Sequence, residues 1–226
     1  MNAALDRETG EFVWRNERPT KPNYPSPVIF EVAGKPQLLY TGCDLVTSLN
    51  PSTGKTNWEI EGATTECVTT TVTDGTHVFT SGGYPTNHVS AVKADGSGEV
   101  VWQNKVRVYV PSMIAHEGYL YGVTDAGVAY CWESATGKKI WNGRLGGTFS
   151  SSPTMAEGRI YVTNESGMTF VYAATPEKFE LLAKNKLGDH VMATPAFAGN
   201  QLIYRVAMRQ SDSRQEWLYC LREASK

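Results

Sequence analysis

Short apolar runs, rich in β-branched and aromatic residues, alternate along the chain with polar stretches carrying Gly, Asp, Asn and Thr. Residues 109–144 show the pattern most clearly. Runs at 111–115, 119–124, 128–133 and 138–142 are separated by Glu117-Gly118, Asp125-Ala126-Gly127 and Ala135-Thr136-Gly137. Residues 150–185 repeat it, with runs at 152–155, 159–163, 168–173 and 179–183. Residues 66–104 repeat it again, with a longer loop at 81–87. No stretch sustains a 3.6-residue apolar period for three turns, so the runs predict strands and the separators predict tight turns.

The separator before each last strand is also a repeated motif. An apolar residue, a polar run, Thr-Gly or Ser-Gly and then Trp four positions later occur at Thr9-Gly10-Trp14, Thr53-Gly54-Trp58, Ser97-Gly98-Trp102 and Thr136-Gly137-Trp141. A worn copy keeps Thr175, lacks the Gly and places Leu182 where Trp is expected. Four short strands per period of about 40 residues predict an all-β fold, a β-propeller of four-stranded antiparallel blades. A single sandwich would not hold the Gly-to-Trp spacing constant. The chain reads as one domain over 1–226: an outer strand within 1–16, blades at about 24–60, 66–104, 109–144 and 150–185, and an incomplete last blade at 192–226. Residues 3–5 read as the tail of a third strand, which the third strand at 214–222 duplicates. The count therefore suggests part of a larger seven- or eight-bladed ring. A five-blade ring closed by the opening strand, or closure by two chains, stays open.

Composition narrows the chemistry. The net charge of -2 gives no electrostatic case for nucleic acid or an anionic membrane surface. No apolar run is long enough for a spanning helix, and the first residues lack the basic head and apolar centre of a signal peptide. Cys43, Cys67, Cys131 and Cys220 stand singly and read as small buried hydrophobes; a disulfide pairing cannot be assigned from sequence. His77, His88, His116 and His190 fall in different repeats without metal-ligand spacing. Gly82-Gly83 precedes no helix and forms no phosphate cradle, and Ser150-Ser151-Ser152 carries no nucleophile elbow.

The Trp copies read as structural. An indole on an outer strand fills the wedge between blades and its N–H seeks a backbone carbonyl across the seam, while Gly takes the left-handed turn. The repeated unit at Asp6-Thr9-Gly10-Trp14, Asn50-Thr53-Gly54-Trp58, Asp95-Ser97-Gly98-Trp102 and Thr136-Gly137-Trp141 resembles the tryptophan-docking motif of PQQ-type (pyrrolo-quinoline quinone) β-propeller repeats. That superfamily includes PQQ-dependent alcohol and sugar dehydrogenases and non-catalytic relatives such as the BamB lipoprotein, a scaffold of the outer-membrane assembly machinery. The enzymes use two adjacent bridged cysteines against the quinone, Glu, Asn and Asp around Ca²⁺, and an Asp base. No adjacent cysteines occur here, and Asp44, Asp125 and Glu165 recur one per repeat at a turn, where turn chemistry accounts for them.

The resemblance therefore implies a non-enzymatic, BamB-like interaction scaffold with no cofactor, a protein or peptide partner, no membrane insertion, and self-association if the ring is incomplete. By the same resemblance the compartment is the periplasm or cell envelope. PQQ with Ca²⁺ belongs only to the alternative, a dehydrogenase-like quinoprotein or its cofactor-binding remnant; a sensory domain of a larger protein is a third reading. The connections leading into each inner strand suggest a funnel face carrying Tyr24, Glu66, Arg107, Tyr109, Arg144, Phe149 and His190, with Arg18, Lys21, Lys105, Lys184 and Lys186 nearby. Aromatic and Arg groups around a funnel suit peptide recognition. The bland alternative is that the aromatics pack the channel mouth and the charges keep it soluble.

Overall fold

The computed structural model describes residues 1–211 and 213–222; the expected last blade therefore reaches, at 212 and 223–226, outside the described residues. Among the described residues every regular element is a strand. The chain resolves into two compact units, Met1–Tyr109 with Ser134–Gly137, and Val110–Glu133 with Lys138–Lys226.

The first unit opens with the hairpin β1 (Asn2–Leu5) and β2 (Phe12–Asn16). Two four-stranded antiparallel meanders follow. One is β3 (Val28–Val32), β4 (Lys35–Gly42), β5 (Leu45–Leu49) and β6 (Thr56–Glu61); the other is β7 (Val72–Thr73), β8 (His77–Gly82), β9 (His88–Lys93) and β10 (Val100–Asn104). The second unit holds two more meanders. They are β11 (Ile114–His116), β12 (Tyr119–Val123), β13 (Val128–Glu133), β14 (Lys139–Arg144), and β15 (Thr154–Ala156), β16 (Arg159–Thr163), β17 (Met168–Ala173), β18 (Leu181–Lys186). It ends in a three-stranded sheet of β19 (Ala196–Ala198), β20 (Gln201–Gln210) and β21 (Ser213–Leu221). Among the described residues β2 pairs with β1 alone.

Apolar residues of neighbouring sheets meet between them. In the first unit Val32, Leu39, Val46 and Trp58 pack with Val78, Val92 and Ala94. In the second, Tyr121, Val123, Cys131 and Trp141 pack with Ile160, Val162, Phe170 and Tyr172. Burial of these side chains is the main favourable term holding sheet to sheet.

A bulge sits beside every docking tryptophan. The pairing of third with fourth strand shifts register at Ala4/Leu5, Ser48/Leu49, Val100/Trp102, Cys131/Trp132 and Val171/Tyr172. One residue of the fourth strand drops out of the ladder, which re-aims the next side chain. Trp14, Trp58, Trp102 and Trp141 then stand opposite Ala4, Ser48, Ala91 and Cys131. In the worn copy the residue opposite Val171 is Ala183. Leu182 is the bulged residue and is 46% exposed, so the expectation that it takes the Trp position is corrected by one residue.

The turns explain the rest of the motif. Asp6 Oδ1 accepts from the N–H groups of Glu8 and Thr9, Asn50 Oδ1 from Ser52 and Thr53, and Asp95 Oδ1 from Ser97. These bonds hold the Asp6 and Asp95 carboxyls below the usual carboxylate range. The glycine takes positive φ and also forms the floor on which the preceding tryptophan rests. A Cβ on Gly54 would lie 2.5 Å from the Trp14 ring, and one on Gly137 would lie 2.4 Å from the Trp102 ring.

Three indoles reach the expected backbone carbonyl. Trp14 Nε1 donates to Pro51 O (2.9 Å), Trp102 Nε1 to Ser134 O (2.7 Å) and Trp141 Nε1 to Thr175 O (2.8 Å). Trp58 departs from the expectation. Its N–H goes to the fully buried Gln37 Oε1 at 2.8 Å, and Gln37 Nε2 passes the link on to Ala94 O at 3.2 Å and to Val32 O at 3.0 Å. The turn at 94–99 holds one residue more than its counterparts at 51–55 and 134–138, so Gly98 is displaced and Gly96 becomes the floor, its Cβ position 3.0 Å from Trp58. At Trp141 the floor is Phe179, whose ring lies 5.5 Å from the indole and fills the space a Cβ on Gly143 would need. The apolar run places Phe179 at the start of the last strand of its blade; that strand begins instead at Leu181.

Candidate functional site

The connections entering the inner strands are anchored by the acids that recur at the turns between second and third strands. Asp44 Oδ1 accepts from Thr65 Oγ1 (2.7 Å), and its Oδ2 pairs with Lys21 Nζ at 3.0 Å. Asp125 Oδ1 accepts from the Val110 N–H (3.3 Å) and Glu165 Oε1 from Ser150 Oγ (2.6 Å). The hydroxyl and the ammonium hold the Asp44 carboxyl below its ordinary range. These acids do more than shape their own turns: they latch the connections that enter the inner strands.

In the first unit these loops converge on a contiguous surface. Asn23 seats the segment around Tyr24. Its Oδ1 accepts from the Cys67 N–H at 3.1 Å, and its Nδ2 donates to Lys21 O at 3.1 Å and to Cys43 Sγ at 3.0 Å. Only glycine at position 42 leaves room for it, since a Cβ there would lie 2.0 Å from Asn23 Oδ1. Tyr24 itself bonds Cys67 O through its N–H (3.0 Å) and is 64% exposed. Glu66 pairs with Tyr84 across an isolated bridge, and Tyr84 is also exposed.

Glu66 joins this loop to the next. Tyr109 Oη donates to Glu66 Oε2 at 3.4 Å, its ring rests on Gly83, where a Cβ would be 2.6 Å away, and the Arg107 guanidinium stands 5.2 Å from the ring centroid. Burial, then the Glu66 charge, raises the Tyr109 phenol above its usual range. Tyr24, Glu66, Tyr84, Arg107 and Tyr109 thus share a surface of aromatic rings, one carboxylate and one guanidinium. Tyr84 carries no signal in the sequence because its loop, residues 81–87, has no counterpart in the other repeats.

In the second unit the expected residues separate. Phe149 is only 1% exposed and packs on Phe170 at 5.9 Å, above Gly127. It is a core residue, and the expectation that it binds a partner is corrected. The apolar ring finds a complete hydrophobic cluster, so nothing holds it at the surface. Arg144 is exposed at the end of β14, opposite Val128. His190 bridges to Ala207 and lines a cleft of about 240 Å³ with Met192, Ala193, Arg205, Arg214 and Glu216. There Glu216 is shared by Arg205 Nε (3.4 Å) and Arg214 Nη2 (2.6 Å).

The donor set does not suit a Ca²⁺–quinone centre. Asp44, Asp125 and Glu165 are engaged in loop latching, and no group of three or more His, Cys, Asp or Glu side chains among the described residues is arranged to hold a metal. Cys43, Cys67 and Cys131 are buried thiols in separate settings, and burial pushes the Cys131 thiol up to about 12.

The chain aligns over 93% of its length with the crystal structure of BamB from Moraxella catarrhalis, at a TM-score of 0.68 and 15% identity, and spans 65% of that chain. That likeness fixes the fold as a β-propeller. A computationally designed protein, Ika4, aligns over 70% of this chain and 94% of its own at a TM-score of 0.54 and 12% identity. A europium-containing methanol dehydrogenase aligns over 52% of this chain and 24% of its own, at 20% identity and a TM-score of 0.43, too partially to bear on activity. No curated protein sequence matches closely enough to count as a relative. A family model described as outer membrane protein assembly factor BamB matches residues 3–108 and 85–178. The chain belongs to the family of outer membrane protein assembly factor BamB.

Proposed function

We propose that this chain is a non-enzymatic scaffold of the cell envelope that binds a protein partner, and that Tyr24, Tyr84, Arg107 and Tyr109 of the first unit are its docking surface. The observation that carries the reading is the convergence of four latched segments on one surface, where Glu66 holds Tyr84 through the backbone and Tyr109 through its carboxylate. Aromatic rings and arginine on a fixed backbone give large contact area with little side-chain entropy to lose. Membership of a family described as an assembly factor supports a protein partner rather than a small substrate. The donor chemistry of the turn acids supports the absence of PQQ and Ca²⁺.

The test is titration of the purified outer-membrane assembly machinery, from a bacterium carrying this protein, onto the chain and onto a Tyr109→Ala/Arg107→Ala double variant. The double variant is expected to keep its circular dichroism and to lose at least tenfold in affinity. Unchanged affinity in a folded variant places the docking surface elsewhere; Arg144 and the His190 cleft in the second unit are the next surfaces to test.

A further inference from the structure

His88 lies at the base of the loop that carries this docking surface. It is 2% exposed and stands directly opposite Gly82 in the β8–β9 hairpin. Its Nε2 is 3.4 Å from Thr80 Oγ1, and that hydroxyl donates its own proton to Gly62 O. The tautomer that fits these contacts has Nε2–H donating to Thr80 Oγ1, which leaves Nδ1 as the acceptor. Nδ1 is buried without a partner, 3.1 Å from the point where a Cβ on Gly82 would stand.

Among the described residues, the groups placed beside the ring are neutral. They are Thr80 and Gly82 on β8 and Thr64 on the segment 62–67, with the Cys67 thiol 3.7 Å behind the Thr64 hydroxyl. The acid of that segment, Glu66, directs its carboxylate to Tyr109. A proton added to this imidazole would put a charge in a buried site with no counter-ion among the described residues, the costliest form of burial.

The loop above transmits the consequence. Gly82 continues into Gly83, the floor of Tyr109, and into Tyr84, whose carbonyl accepts from the Glu66 N–H at 3.4 Å. The geometry points to His88 as an acid-sensitive latch: protonation parts Gly82 from His88, releases loop 83–87 and dismantles the surface formed with Glu66 and Tyr109. This rests on the proposed docking role of that surface, and it makes the surface competent at neutral pH and disabled in acid.

Burial alone lowers the His88 imidazole from 6.5 to about 4. For a base whose folded value is depressed, opening takes up a proton, so opening is favoured as pH falls below 6.5 and the gain levels off below about 4. Between about pH 7 and pH 5 the open fraction rises about twentyfold.

Amide hydrogen exchange on the intact chain reads this without a partner. After correction for intrinsic exchange, protection of residues 82–88 and 64–67 is expected to fall about twentyfold from pH 7 to pH 5, while that of residues 159–163 stays unchanged as an internal control. In His88→Gln the fall is expected to disappear. Equal falls in the two proteins, or a wild-type fall no larger than that of residues 159–163, overturn the latch. Should His88→Gln not fold, an NMR titration of the His88 ring in the unaltered protein decides: a midpoint near 4 supports the latch and one near 6.5 overturns it. Binding of the assembly machinery at pH 7 tests the docking role separately, so failure of either reading is visible without the other.

Discussion

Gly10 and Gly137 take nearly the same backbone, with φ of +74 and +70, yet a Cβ at Gly10 meets nothing within 4 Å while one at Gly137 meets the Trp102 ring at 2.4 Å. The two alanine variants therefore separate conformational strain from steric cost. A non-glycine residue in the left-handed region costs about 1–2 kcal/mol. Gly10→Ala should lose that and no more. Gly137→Ala adds displacement of an indole that is only 9% exposed, an overpacking cost of about 1–3 kcal/mol. It also stretches the 2.7 Å bond from Trp102 Nε1 to Ser134 O, whose loss from a buried donor costs about 1–3 kcal/mol. Partial relaxation keeps the total at about 3–5 kcal/mol. Gly54→Ala should fall between, because the Trp14 ring it meets is only half-buried. Urea unfolding followed by tryptophan emission measures the three values. Equal losses in Gly10→Ala and Gly137→Ala would show that the glycine serves the turn alone and that the floor under the indole carries no energy.

Other expectations follow from single contacts. Gln37→Leu leaves the Trp58 N–H and the Ala94 carbonyl without partners and should cost about 3 kcal/mol, read from the urea midpoint at constant slope. Phe149→Ala opens a cavity in the second unit's core and should cost about 3–5 kcal/mol while leaving affinity for a partner unchanged in the folded protein. In a native titration with an aromatic disulfide reagent, the exposed Cys220 should react at once, while Cys43, Cys67 and Cys131 should wait for denaturant. Rapid reaction of a second thiol would contradict the burial described for it.

The blades are legible in the sequence because each strand signal is local and is repeated. Five third-to-fourth strand pairings can be read from the Thr-Gly spacing even where the motif is worn. What the spacing misses is one-residue register. Nothing in Phe179, Leu181, Leu182 and Ala183 announces a bulge, so the spacing puts Leu182 where the ladder puts Ala183. The second use of the glycines is also hidden, because the contact lies about 40 residues away along the chain. At the surface, loop residues are readable as a set but their burial is not. Phe149 and Tyr109 hold the same position before their inner strands, yet one closes a core and the other rests on Gly83. That difference follows from which apolar neighbours each loop meets in space, and pattern along the chain does not encode it.

Gln37 acts as a shim. Where a turn has gained a residue and its backbone no longer meets the indole, an amide side chain with a donor and an acceptor spans the gap and restores the link to the same carbonyl position. Insertions at a seam can thus be absorbed by one substitution on the neighbouring blade rather than by rebuilding the turn. A repeat array equipped in this way can let its copies drift in length while its blades stay in step.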